Sequence, residues 1–147
     1  MTDNIYVVLS VNLFYRRSTM KEKEITVVKV EPMKYPVIAT LTNDLDHLQK
    51  AVSVGADYQG LIEFVYLEDN VSILCNEEGK LIGLTPNRRF YDDILCGVFY
   101  VVAEDDDGNL ISLTPAQQDR YLRLFWTPDV ISNDDVGKTI FAKFIGE

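Results

Sequence analysis

Two apolar runs separated by only three polar residues place the strongest constraint on how this chain can fold. LIEFVYL occupies residues 61–67 and VSILC occupies residues 71–75, with Glu68, Asp69 and Asn70 between them. Runs rich in β-branched and aromatic residues that are joined by so short a polar segment are typical of a β-hairpin. The sequence therefore predicts paired antiparallel strands in the middle of the chain.

Further runs of similar composition extend the predicted sheet. We expect strands in ITVVKVE at 25–31, VIATL at 37–41, LIGL at 81–84, VFYVVA at 98–103 and LISL at 110–113. Residues 5–14 also favour a strand, and the alternation in KTIFAKFI at 138–145 could give a last one.

One helix is predicted over about residues 44–54. Asn43 is expected to cap its N-terminus, because Asn favours this position and acidic residues follow in the first turn. Apolar residues then recur at i, i+3 and i+7, namely Leu45, Leu48 and Val52.

A second helix is predicted over about residues 115–125. Thr114 is a good N-cap, Pro115 suits the first helical position, and Gln117 completes a capping box. The apolar residues of this segment are then available to pack on the sheet.

A nine-residue pattern occurs twice, as EGKLIGLTP at 78–86 and DGNLISLTP at 107–115. We interpret both copies as a turn at Gly79 or Gly108 with positive φ, a short strand, and a Thr-Pro stop. The first copy lacks the capping glutamine, so a short turn or single helical turn is expected after its Thr-Pro. Repeated turns and caps explain the similarity without any chemistry.

Length and composition indicate one folded, water-soluble domain. The chain has 147 residues, of which 47% are hydrophobic and 25% are charged. We expect an α+β fold with a mainly antiparallel sheet of five to seven strands and two principal helices. Residues 25–125 would form the core, with an extension at 1–19 and a tail at 126–147.

The charge and the apolar segments exclude several classes of function. A formal net charge of −9 disfavours binding to nucleic-acid phosphates, which requires a basic face. The apolar run at 5–14 is too short for a membrane span and follows an acidic start rather than a basic one. A cytoplasmic location is therefore expected.

The residues needed for metal or nucleophilic chemistry are scarce. Cys75 and Cys96 lie in apolar stretches and are expected to be free buried thiols, while His47 is the only histidine. Placing Gly108 at the sixth position of a calcium loop puts Ala103 and Thr114 at the two ligand ends, where carboxylates are needed. No phosphate-binding glycine motif occurs, so no cofactor and no metal are expected.

The segment TPNRRFYDD at 85–93 is the most informative polar stretch. Arg and Tyr are favoured at protein interfaces, although the aromatic residues could simply anchor a loop to the core. The candidate binding surface consists of Asn76, Glu77, Glu78, Asn87, Arg88 and Arg89.

Three segments carry a resemblance to a known family: VVKVEP at 27–32, CNEEGKLIGLTPNR at 75–88 and GVFYVVAEDDDGNLISLTPAQ at 97–117. Over about residues 25–125 the chain resembles a family of uncharacterised small domains from bacteriophages and conjugative elements. The resemblance implies a mobile-element setting and assigns no activity and no residue role.

A non-enzymatic accessory protein that binds another protein is the leading functional expectation. One alternative is a small-ligand enzyme that uses carboxylates of the 76–93 segment, such as Glu77, Glu78, Asp92 and Asp93. The other is an acidic decoy of DNA directed at a host defence protein, which would require its carboxylates to lie along one face.

Overall fold

The computed structural model of the chain describes residues 22–145. The strand expected over residues 5–14 lies outside the described residues. The strands are β1 Glu24–Val30, β2 Val37–Thr42, β3 Ile62–Glu68, β4 Val71–Asn76, β5 Pro86–Phe90, β6 Asp93–Cys96, β7 Phe99–Glu104 and β8 Leu110–Ile111. The helices are α1 Leu45–Ala51, α2 Pro115–Leu124 and α3 Asn133–Ile145.

Six of these strands form one antiparallel sheet. Its order is β2-β1-β7-β4-β3, and β8 pairs with the end of β7. β5 and β6 form a separate antiparallel pair. The α+β class and the mainly antiparallel sheet are therefore confirmed, as is the hairpin of β3 and β4.

The large sheet is apolar on both faces, because successive residues of a strand point to opposite sides. Val27 of β1 and Leu74 of β4 face the cluster that includes Leu48 of α1. Val28 and Ile73 face the opposite cluster, which includes residues of α2. A third cluster joins β6 to α3. The sheet thus forms a middle layer between helices.

The two predicted helices are present, with one corrected cap. The N-cap of α1 is Asp44, whose side chain accepts from the main-chain N–H of His47 at 2.9 Å. Asn43 is instead buried and donates its amide to main-chain oxygens of Glu22 and Leu110. The capping box of α2 between Thr114 and Gln117 is confirmed.

α3 replaces the last strand expected over residues 138–145. The hydroxyl of Ser132 accepts from the main-chain N–H of Asp135 at 3.1 Å, which satisfies one of the free donors at the helix start. Val136 and Ile140 both pack in the third cluster. Their spacing of four residues is a helical period, and it outweighs the local alternation on which the strand was predicted.

The first copy of the repeat is also different from the prediction. LIGL forms a turn, in which the main-chain N–H of Ile82 donates to Glu78 and that of Leu84 donates to Gly79, both at 3.0 Å. Gly108 has the expected positive φ of 83°, whereas the φ of Gly79 is not positive. The segment after Thr85, expected to be a turn, is strand β5.

Gly79 is required for close packing rather than for its φ. A Cβ at this position would lie 2.7 Å from the main-chain oxygen of Cys96.

Within the described part of the chain, no helix has the length and apolarity needed to cross a membrane.

Candidate functional site

A β-bulge in β5 directs two consecutive polar side chains towards the interior of the protein. Pro86 pairs with Cys96 and Arg88 pairs with Leu95, so Asn87 is an extra residue in its strand. Such a β-bulge breaks the alternation of side chains. Asn87 and Arg88 are consequently both buried, with Arg88 only 2% exposed.

The guanidinium of Arg88 joins three segments of the chain. Its Nε and Nη2 donate to the main-chain oxygen of Phe125 at 3.1 and 3.0 Å, and Nη2 also donates to that of Lys34 at 2.6 Å. Its Nη1 donates to Oδ1 of Asn87 at 2.9 Å. Arg88 therefore connects the turn between β1 and β2 to the end of α2.

The acceptors of the buried guanidinium are carbonyl oxygens. Among residues 22–145, Arg88 takes part in no ion pair. Burial lowers the pKa of the Arg88 guanidinium, and the carboxylate of Asp129 opposes that shift. Phe125 is the C-cap of α2, where the helix dipole is negative and favours a cation. Arginine stays protonated in such surroundings.

Asn87 helps to hold the guanidinium of Arg88 in place through a hydrogen bond. Its Nδ2 donates to the main-chain oxygens of Val30 and Gly97 at 2.9 and 2.8 Å, while its Oδ1 accepts from Arg88. The two residues proposed from sequence as part of a binding surface are therefore internal supports. They are buried because the bulge directs both side chains inwards and carbonyl oxygens from distant parts of the chain accept their hydrogen bonds.

Asn76 is also buried, and its Oδ1 accepts from the main-chain N–H of Glu78 at 2.8 Å. Glu77 and Glu78 are partly buried, and Glu78 accepts from the hydroxyl of Tyr58 at 3.1 Å. Arg89 is the exposed member of the six candidates and pairs with Asp135 at 3.0 Å. The six residues therefore do not form one exposed surface.

Exposed apolar side chains flank the segments that Arg88 joins. Met33, Tyr35 and Trp126 are 60%, 59% and 50% exposed. The rings of Tyr35 and Trp126 stack with centroids 4.7 Å apart and an interplanar angle of 24°. We call these three residues the apolar corner. Lys34 and Phe125, whose oxygens Arg88 binds, are their neighbours in the chain.

The sequence contained only weak signals for the apolar corner. Tyr35 lies in a short break between two prolines, and Trp126 follows the predicted second helix. Neither pattern shows that the two rings meet. The residues next to these rings in the chain, Lys34 and Phe125, are joined by Arg88, which the sequence predicts to lie on the surface.

Two carboxylates of the enzyme alternative, Glu78 and Asp93, have hydrogen-bond partners in the described residues. Lys80 donates to Asp93 and, at 3.2 Å, to the hydroxyl of Thr139. Asp93 also accepts from the main-chain N–H of Ile94 at 2.7 Å. Among residues 22–145, no group of three or more His, Cys, Asp or Glu side chains could hold a metal ion.

The two cysteines are free and buried, as predicted. Burial raises the pKa of Cys96 to about 11 and raises that of Cys75 further. A nucleophilic or metal-binding cysteine must be deprotonated. These two thiols are therefore protonated and unreactive at neutral pH.

The chain matches the model of a known protein family. Residues 25–126 match the family described as Domain of unknown function (DUF3846). The matched segment runs from β1 to Trp126, so it includes Arg88 and the whole apolar corner. No curated protein and no solved structure shows significant similarity to the chain. The chain belongs to the DUF3846 family, whose function is unknown.

Proposed function

We propose that the chain is a non-enzymatic protein-binding module that contacts its partner through the apolar corner. The stacked, half-exposed pair of Tyr35 and Trp126 is the observation that carries this proposal. Tyrosine and tryptophan are enriched among the residues that dominate the energy of protein interfaces. Their rings also offer a large apolar area together with a polar group.

The support beneath the corner favours tight binding. Arg88 fixes the main chain at Lys34 and Phe125 through hydrogen bonds of 2.6 to 3.1 Å. A side chain that is already ordered loses less conformational entropy when a partner covers it. The stacked pair is therefore preorganised for an interface.

A protein suits this surface better than a nucleic acid does. Stacked aromatic rings can also bind bases, but such sites are combined with a basic groove that follows the phosphates. This chain has 14 basic and 23 acidic residues, and its net charge is −9. The overall electrostatic field therefore repels a polyanion.

The cellular setting is part of the same proposal. We infer a cytoplasmic accessory protein of a bacteriophage or another mobile element, on the basis of the family resemblance. The expected observation is that coding sequences for this family lie within integrated phage or conjugative regions. A distribution among ordinary chromosomal genes would contradict that setting and leave the binding proposal standing.

Affinity capture followed by a direct titration tests the binding proposal. The tagged wild type, a Tyr35→Ala/Trp126→Ala double variant and a Tyr66→Ala control would be exposed to host lysate at moderate and high salt. Tyr66 is a matched control because it is exposed to a similar degree on β3, away from the corner. The protein captured in stoichiometric amount would then be purified and titrated.

Trp126 provides a fluorescent probe at the apolar corner, because it is the single tryptophan of this chain. We expect partner binding to shift its emission to shorter wavelength and to protect it from acrylamide. The double variant should lose the partner while Tyr66→Ala keeps it. Equal capture by all three proteins, or binding without any change at Trp126, would overturn the proposal. Capture of many nucleic-acid-binding proteins, lost at high salt, would favour the acidic decoy instead.

A further inference from the structure

β2 is the last strand on one side of the main sheet. The strand order ends at β2, and within residues 22–145 no strand pairs with its outer side. Its sequence, VIATLT, contains neither charge nor proline, and its register with β1 is regular. Val37 and Ile38 are 49% and 43% exposed. Alternate residues of such a strand direct unpaired main-chain N–H and C=O groups outwards.

The strand at the opposite end of the sheet is built differently. β3 carries Glu63 and Glu68, and its register with β4 shifts after Tyr66. Charges and bulges are devices by which proteins prevent an edge from pairing with another chain. β2 has neither a charged residue nor a bulge, so it can pair with another strand.

We propose that β2 pairs antiparallel with β2 of a second copy and forms a symmetric dimer with one continuous sheet. The arrangement is self-complementary, because a two-fold axis places the same strand on both sides of the interface. Main-chain hydrogen bonds along the edge would supply affinity, as in other cases of strand addition. This inference does not depend on the function proposed for the apolar corner.

The two faces of the sheet restrict the register. A two-fold axis perpendicular to the sheet keeps the α1 side on the same side in both copies, so residues of the same face must oppose each other. Val37 and Leu41 lie on the α1 side, because they pair with Lys29 and Ile25. With Ala39 at the axis, Val37 faces the partner's Leu41 and Ile38 faces the partner's Thr40.

This register also gives charge complementarity at both ends of the interface. It brings Lys34, which precedes β2, towards the partner's Asp44, which follows β2. The symmetry produces this contact twice. The side chains of Lys34 and Asp44 are 67% and 47% exposed, and within one copy they pair with Glu31 and His47. A pairing shifted by two residues towards the C-terminus would instead set Val37 against the buried Asn43, which is less favourable.

Sedimentation equilibrium tests the dimer directly. We expect the wild type to associate reversibly to a dimer, and Thr40→Lys to weaken this by about tenfold or more, because a lysine on an edge blocks strand pairing. Tyr66→Lys, an equivalent change on β3, should leave association unchanged. A wild type that stays monomeric at every concentration, or a dimer insensitive to Thr40→Lys, would overturn the proposal.

A charge exchange tests the antiparallel orientation. Lys34→Asp and Asp44→Lys should each weaken their own homodimer by about tenfold, since two contacts become repulsive. An equimolar mixture should form heterodimers, because both contacts are then attractive. Circular dichroism would verify that the protein remains folded after Asp44→Lys, which removes the N-cap of α1. No heterodimer from two folded variants would contradict the orientation.

A cysteine at the axis tests the register. Directly opposed residues of antiparallel strands have Cα atoms about 4.5 to 5.5 Å apart, which suits a disulfide. Ala39→Cys should therefore form an intermolecular disulfide under mild oxidation, while Val37→Cys should not. The natural cysteines are buried and would not interfere. Cross-linking through position 37 but not 39 would refute this register.

Discussion

The guanidinium of Arg88 donates twice to the main-chain oxygen of Phe125, from Nε at 3.1 Å and from Nη2 at 3.0 Å. This pair of bonds places a buried cation at the C-terminal end of α2, where the helix dipole is negative. The same side chain holds Lys34. One internal residue therefore stabilises the fold and the segments that carry the apolar corner.

Two adjacent arginines should differ sharply in their contribution to stability. Arg88→Met leaves the oxygens of Lys34, Phe125 and Asn87 without their donor, and should lower the free energy of unfolding by about 3 kcal/mol or more. Arg89→Ala removes an exposed ion pair with Asp135 and should cost less than about 1 kcal/mol. Urea unfolding measures both, and similar losses would contradict the internal role of Arg88.

Two glycines should respond in opposite directions to alanine. Gly79→Ala forces a Cβ to within 2.7 Å of the main-chain oxygen of Cys96, so we expect a loss of about 1 to 3 kcal/mol. Gly137 lies in α3, and an added Cβ would meet no atom within 4 Å beyond its chain neighbours and the nearby backbone of the helix. Gly137→Ala should therefore stabilise the protein by about 0.5 to 1 kcal/mol. Thermal unfolding measures both variants. The midpoint should fall for Gly79→Ala and rise for Gly137→Ala, and the opposite sign for either variant would contradict the prediction.

Tyr91 is strained as well as exposed. It has a φ of 55° at the turn between β5 and β6 and is 84% exposed. Because asparagine tolerates this backbone conformation, Tyr91→Asn should raise stability by about 0.5 kcal/mol. Tyr91→Val should lower it, since β-branched residues tolerate positive φ least. Calorimetry that ranked valine above asparagine would show that the turn is not strained.

The two thiols should be inert until the protein unfolds. Burial raises the pKa of Cys96 to about 11 and raises that of Cys75 as well. Because the thiolate is the reactive form, an aromatic disulfide reagent at pH 8 should modify neither residue in the native state. Both should react in concentrated urea. Rapid labelling of the native protein would contradict this burial.

The N-cap of α1, Asp44, should make the free energy of unfolding depend on pH. The main-chain N–H of His47 lowers the pKa of the Asp44 carboxyl below its usual 3.8. A carboxyl with a lowered pKa in the folded state stabilises the protein above its unfolded pKa, and this contribution is lost as pH falls below about 4. Asp44→Asn keeps a capping oxygen without the charge.

Unfolding measured between pH 6 and pH 3 should therefore show a shallower decline for Asp44→Asn than for the wild type. The difference should be less than about 1 kcal/mol, because the side chain of Asp44 is 47% exposed. Gln117→Asn provides a control, because it alters the uncharged capping box of α2 and should leave the pH dependence unchanged. Parallel pH profiles for the wild type and Asp44→Asn would contradict the role of the carboxylate.

Local patterns of residue types are enough to predict the elements that depend on neighbouring residues. The hairpin of β3 and β4 follows from two apolar runs and a short turn, and the start of α2 follows from Thr114 and Gln117. Hydrogen bonds over three residues and alternation along one strand are local properties. They were therefore predictable without knowledge of the rest of the fold.

The burial of Arg88 and the contact between Tyr35 and Trp126 arise only in the folded molecule. The bulge at Asn87 turns Arg88 inwards, and its acceptors come from Lys34 and Phe125, far apart in the chain. A polar side chain can be buried wherever distant carbonyl groups converge to accept its hydrogen bonds. That convergence is a property of the packed molecule, and no local pattern of residue types records it.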